Sequence, residues 1–181
     1  MTFEQLAETI PPFAKDLKLN LSSVLRQTEL TEQQTWGTVL ASVLACRNSQ
    51  FSETMAAEAA QHLSLQAAEA ARTAMALMGM NNIYYRFVHL SENEKYSTIP
   101  ARLRMNGIRT HGIEPADFEL WCIAVSAING CGKCITAHEK VLKEKGVGEE
   151  VILAAIRIAS VMHAIAVVLD RADASLRQHG A

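Results

Sequence analysis

The chain has 181 residues, a formal net charge of −2, 49% hydrophobic residues and 20% charged residues. These values fit one domain with a full core and exclude a chain disordered throughout, which would be poor in apolar residues and strongly charged. The near-neutral balance argues against general binding to nucleic acid or anionic lipid, which needs clustered Lys and Arg. Aromatics are only 6% and alanine is abundant, so helix is favoured over sheet.

In chain order, Thr2 with Gln5 fits a capping box and predicts a short helix to about Ile10. Pro11-Pro12 ends it and can open the next, whose apolar stripe runs through Phe13, Leu17, Leu21, Val24 and Leu25. Thr31 with Gln34 repeats the capping pattern ahead of Trp36, Val39, Leu40 and Val43. After a break at Arg47-Asn48-Ser49, helices are expected over Ser52 to about Leu63 and Ser64 to Met78, with Gly79 separating them from a segment carrying Ile83, Phe87 and Leu90. Residues 91–114 are rich in turn signals and read as a linker. Pro115 suits a first helical position, and the helix through Phe118, Trp121, Val125 and Ile128 should stop at Asn129-Gly130. The next helix begins at Cys131 or just beyond and ends at Gly146. A last one starts at Glu149-Glu150 and reaches about Leu176, with a bend expected near Ser160. Val151 to Leu169 is strongly apolar, but Arg157, Ser160 and His163 interrupt it, so a buried helix is expected there rather than a membrane span.

Shifting the chain by about 85 residues lays Trp36 on Trp121, Cys46 on Cys131, Ala70 on Ala155, Arg72 on Arg157 and Ala74 on Ala159. Two similar helical halves follow from that repeat, and only the second carries paired cysteines, since Ser49 falls opposite Cys134.

That pair is the informative feature. Cys131 and Cys134 are three residues apart and His138 follows four beyond, spacings that put all three on one helical face. The pair opens a helix directly after a chain break, where exposed N–H groups and the helix dipole stabilise a thiolate, and Lys133 adds positive charge. His138 can relay a proton to or from sulfur. Glu119, on the preceding helix, can orient His138 if the two helices pack antiparallel. Either cysteine could attack first on spacing alone. Structural zinc needs four ligands, and here one pair stands with a histidine too close for a finger pattern, so no metal is expected. A thioredoxin-like site would need a preceding strand. No phosphate-cradling glycine loop or dinucleotide fingerprint is present, so no tightly bound cofactor is expected.

Other candidates read as structural. Cys46 and Cys122 lie on apolar faces and His163 reads as a hydrogen-bonded core histidine. His62, His89, His111 and His179 are isolated. Met75, Met78 and Met80 read as core filling, with a substrate pocket or oligomer face as the alternative. Tyr84-Tyr85-Arg86 reads as packing or surface. The N-terminus lacks the basic stretch and apolar run of a signal peptide, which suggests the cytoplasm, where thiols stay reduced.

Glu119, followed by Ser126-Ala-Ile-Asn-Gly-Cys131, Cys134 and Ala137-His138-Glu139, closely resembles the alkyl hydroperoxide reductase AhpD family, within the carboxymuconolactone-decarboxylase-like superfamily. Ala14-Lys15-Asp16, Leu40-Ala41-Ser42 and Met78-Gly79-Met80-Asn81-Asn82 extend the resemblance over essentially the whole chain. It implies an all-α fold in one AhpD-like domain, 1–181, with halves of roughly 1–95 and 96–181, assembled as a homotrimer. It implies a lipoyl-dependent peroxidase in which Cys134 is the attacking thiolate and passes through a sulfenic acid. Cys131 is then proton donor and resolving thiol, closing a Cys131–Cys134 redox disulfide, while Glu119 and His138 match the proton-relay positions. The implied partners are the peroxiredoxin AhpC, through a mixed disulfide at Cys134, and the dihydrolipoyl group of a 2-oxoacid dehydrogenase complex as electron donor. Some family members carry a histidine where this chain has Lys133. The alternatives are a non-peroxidase redox sensor, a zinc-binding interaction protein, or a lactone decarboxylase of the wider superfamily, which generally lacks the cysteine pair.

Overall fold

A computed structural model of the chain describes residues 2–178, with side chains through residue 171. It is all-α, with ten α-helices, one 3-10 turn and no strand among the described residues. Helix α1 (Phe3–Thr9) starts on the expected capping box: Thr2 N donates to Gln5 Oε1 at 2.9 Å, and Gln5 N donates to Thr2 Oγ1 at 3.3 Å. A 3-10 turn over Pro12–Ala14 leads into α2 (Lys15–Val24). The expected stripe holds at Leu21 and Val24 but fails at Phe13, which is 81% exposed. The 3-10 turn sets a different phase from the helix that follows, so Ala14 takes the core position and Phe13 points out.

Helix α3 (Glu32–Ala45) opens on the second capping box, Thr31 with Gln34. Helix α4 (Ser49–Ala59) begins three residues before the expected Ser52, because Asn48 caps it. Asn48 Oδ1 accepts from Phe51 N at 2.8 Å while its Nδ2 donates to Asp170 at 2.6 Å. Helix α5 (Leu65–Leu90) runs unbroken through Gly79, where a break was expected. A lone helical glycine costs only about 1 kcal/mol against alanine, less than the packing of this helix on its neighbours contributes.

The stretch 91–114 is more than a linker. It contains α6 (Lys95–Thr98) and α7 (Gly107–Thr110), both seated on α5. Helix α8 (Pro115–Ile128) has proline in its first turn as expected. Helix α9 (Gly132–Glu144) and helix α10 (Glu149–Gln178) complete the chain, and α10 continues through Ser160 without a break.

Helices α3 and α8 form the centre. Each is buried nearly all round, the pattern of a helix enclosed by others. They approach closely at Gly37, where any Cβ would overlap the Trp121 indole. Their N-terminal ends are joined by buried Asp117, which accepts from Gln33 Nε2 at 2.7 Å and Gln34 Nε2 at 2.8 Å. Around this pair pack α5, α9 and α10. Residues Glu149–Arg171 of α10 are long and apolar enough to cross a membrane by composition, but Ala154, Ala155, Ile158, Met162 and Ile165 are spent on the core. The consequence for function is that α5, α8 and α9 meet at the start of α9, where the cysteine pair lies.

Candidate active site

The turn between α8 and α9 is short and fully hydrogen-bonded. Gly130 adopts φ +67°, which lets Gly130 N donate to Ala127 O at 3.1 Å and Cys131 N donate to Ser126 O at 3.0 Å. This closes α8 as a Schellman motif. Cys131 thereby becomes the N-cap of α9, and its Sγ accepts from Cys134 N at 3.3 Å. Cys131 and Cys134 are disulfide-bonded, with Cα atoms 5.3 Å apart. Both sulfurs thus sit in the first turn of a thirteen-residue helix, where unpaired N–H groups favour negative charge on sulfur.

The two cysteines differ in access. Cys131 is fully buried and Cys134 is 5% exposed. Cys134, but not Cys131, lines a cavity of about 250 Å3. Its wall is almost wholly apolar and includes Met78, Tyr85, Met105, Ile108, Ala137 and His138, with Lys133 at the edge. Tyr85 and Lys133 also border a second, more polar cavity of about 350 Å3 lined by His89, Glu92 and Glu94.

Helices α8 and α9 bring Glu119 and His138 together, the contact that the spacing alone left open. His138 Nδ1 lies 2.6 Å from Glu119 Oε2, with both side chains largely buried. A carboxylate only accepts, so Nδ1 carries the hydrogen, and whenever the imidazole is neutral Nε2 is its free nitrogen. Nε2 lies 3.2 Å from Met78 Sδ. The Glu119 charge is also felt nearby. Burial pushes the Cys122 thiol well above the usual range, and Glu119 adds to the push. Burial lowers the pKa of His111, which stacks on Phe118 at 4.1 Å, and Glu119 opposes that shift.

Three further residues belong to the site. Met78, Asn82 and Arg86 recur every four residues on α5, so they share the face that meets the turn. Asn82 Nδ2 donates to Ser126 Oγ at 2.9 Å, and Asn129 Nδ2 donates to Asn82 Oδ1 at 2.9 Å. Arg86 Nη1 donates to Asn129 O at 2.6 Å. These bonds hold the turn that presents Cys131. Met78 takes its expected place in the core and also lines the cavity. The four-residue spacing of Asn82 and Arg86 from Met78 was the available signal for them.

The remaining candidates fall elsewhere. Cys122 is buried in the core. Cys46 ends α3, and burial pushes its thiol up to about 12, with Asp170 adding to the effect. His163 is exposed rather than in the core, because α10 turns it outward, with Nδ1 3.9 Å from Cys46 Sγ. His62 is not isolated. It stacks on Trp36 at 4.2 Å and pairs with Glu32 at 2.8 Å. His179 lies outside the described residues. No three His, Cys, Asp or Glu side chains gather as metal ligands among the described residues.

A disulfide-bonded cysteine pair thus stands at a helix start on an all-α scaffold, bordered by an apolar cavity and a Glu–His pair. The Carboxymuconolactone decarboxylase family model matches residues 95–176, which include both cysteines, Glu119 and His138. A protein of Acidobacterium capsulatum named "Alkyl hydroperoxide reductase AhpD" is 65% identical over 171 residues, covering 94% of this chain and 93% of that protein. Proteins of the same name from Solibacter usitatus and Koribacter versatilis are 61% and 58% identical, covering 94% of this chain and 96% and 88% of their own lengths. The chain belongs to the alkyl hydroperoxide reductase AhpD family.

Proposed function

We propose that the chain reduces organic hydroperoxides by a Cys131–Cys134 dithiol–disulfide cycle driven by dihydrolipoyl electrons, and that the same dithiol reduces the peroxiredoxin AhpC. Family membership makes it an oxidoreductase acting on peroxide. The observation that carries the assignment of roles is that Cys134 lines the cavity while Cys131 is sealed beneath it.

In this reading the Cys134 thiolate attacks the distal oxygen of the hydroperoxide. The O–O bond breaks, the alcohol leaves with a proton, and Cys134 becomes a sulfenic acid. The Cys131 thiol then attacks that sulfur, water leaves, and the disulfide closes. A dihydrolipoyl dithiol returns two electrons by exchange and becomes the cyclic disulfide. His138 lies one helical turn beyond Cys134 and serves as the acid and base, with Glu119 fixing its tautomer. Lys133 favours the thiolate but is a poor proton shuttle at neutral pH. The apolar wall suits the hydrocarbon part of an alkyl hydroperoxide or of a lipoyl chain. AhpC would be reduced through a mixed disulfide at Cys134, and the lipoyl domain of a 2-oxoacid dehydrogenase complex would deliver the electrons. We place the protein in the cytoplasm as a homotrimer without a tightly bound cofactor. An exposed apolar stripe on α5, Ile83, Phe87 and Leu90, supports the trimer.

The test is hydroperoxide-dependent oxidation of dihydrolipoamide by the purified protein. Turnover by the wild type, none by Cys134→Ser, and a rate lower by about 10²-fold or more in a folded His138→Phe variant are expected. Undiminished turnover in Cys134→Ser would contradict the mechanism. A normal rate in His138→Phe would remove that histidine from the relay.

A further inference from the structure

We propose that Met78 is a second oxidisable group of the cavity, converted to methionine sulfoxide by hydroperoxide bound there. The proposal rests on the reading above that hydroperoxides enter this cavity. Met78 is 1% exposed to bulk solvent but forms part of the wall that also holds Cys134 and His138. A core methionine away from any cavity is shielded from peroxide, whereas a core methionine that also walls a peroxide-binding cavity meets the oxidant at high local concentration. The sulfur is also placed for the chemistry. His138 Nε2 lies 3.2 Å from Sδ, and Asn82 Nδ2 lies 3.9 Å from it.

In the step, a sulfur lone pair attacks the distal oxygen of the hydroperoxide. An S–O bond forms, the O–O bond breaks, and the thioether loses the two electrons that the hydroperoxide gains. The proton on the sulfur-bound oxygen passes to Nε2, the free nitrogen of the neutral ring, and from there to the alkoxide, which leaves as the alcohol. The product oxygen is a strong acceptor that thioether sulfur is not. Once the ring takes up a further proton from solvent, that oxygen accepts from Nε2–H and withdraws His138 from acid–base work at Cys134. Attack on the Cys134 thiolate remains the faster path, so sulfoxide accumulates when hydroperoxide exceeds the supply of dithiol.

The experiment treats the full-length wild-type protein with excess cumene hydroperoxide, maps methionine oxidation by peptide mass spectrometry, and follows turnover in the same samples. Met55 and Met162 are the internal controls, fully buried in the core and absent from the cavity wall. Met78 is expected to gain one oxygen at least tenfold faster than either control, with turnover falling in step to about a hundredth of its starting value. A Met78→Leu variant, normalised to its own initial rate, is expected to lose activity at least tenfold more slowly. Oxidation of Met78 no faster than that of Met55 and Met162 would overturn the proposal. So would an unchanged rate of loss in Met78→Leu. The mapping reads out whether or not turnover occurs: turnover with unmodified Met78 removes this proposal alone, and absent turnover removes the peroxidase reading.

Discussion

Cys131 and Cys134 share a helix turn, a bond and a chemical type, yet only Cys134 touches the cavity. The other two thiols are raised out of reach. Burial pushes Cys46 up to about 12 and Cys122 well above the ordinary value. A thiol reacts as its thiolate, so at pH 8 both should stay inert. After reduction of the native protein, brief treatment with iodoacetamide at pH 8 should label Cys134 first and leave Cys46 and Cys122 unlabelled, as read by peptide mass. Labelling of Cys46 or Cys122 as fast as Cys134 would contradict the burial argument. Glu119, Cys131, Cys134 and His138 were legible in the sequence because a motif, a helix start and an i,i+4 spacing coincide there. Asn82 was not, and for Met78 a pocket was only the alternative to core filling, because both reach the site from α5; Met78 lies sixty residues before the histidine it touches. A one-dimensional pattern holds no record of which face of a distant helix will arrive.

Helix starts were the most legible elements. Thr2–Gln5 and Thr31–Gln34 both form the reciprocal bonds that the pattern implies, because a cap is local chemistry. Helix interiors were less so, and glycine shows why. Gly79 was read as a breaker but sits inside α5 with nothing within 4 Å of an added Cβ. Gly37 drew no notice but lets α3 lie against Trp121. The two should respond oppositely to alanine. Gly79→Ala should stabilise the protein by about 1 kcal/mol through helix propensity. Gly37→Ala should destabilise it by about 1–3 kcal/mol or more through overpacking. Urea unfolding midpoints at fixed protein concentration measure both, and a shift of the same sign in the two variants would contradict this account of the packing.

For the whole molecule, composition favoured helix over sheet, the family resemblance implied the all-α fold, and the order of most of the longer helices was readable. The role of residues 91–114 was not, since turn-rich composition hid Met105 and Ile108, which help wall the cavity. A displacement of about 85 residues also lays α3 on α8, α4 on α9 and α5 on α10, and we propose on that basis that the chain is one domain of two related halves. The stripe of Ile83, Phe87 and Leu90 is 54–67% exposed on the single chain, so burial between copies is the expected use. Light scattering should give a mass near three times 19.8 kDa. A mass of 19.8 kDa at micromolar concentration would contradict the trimer.

The central claim is that hydroperoxide meets sulfur at Cys134. Its most direct measurement is trapping of the sulfenic acid with dimedone after one equivalent of cumene hydroperoxide is added to the reduced Cys131→Ser variant, followed by peptide mass mapping. Without the resolving thiol the intermediate should persist, and the adduct should be found on Cys134. Its absence there, with Cys134 still a free thiol and the hydroperoxide unconsumed, would contradict the assignment.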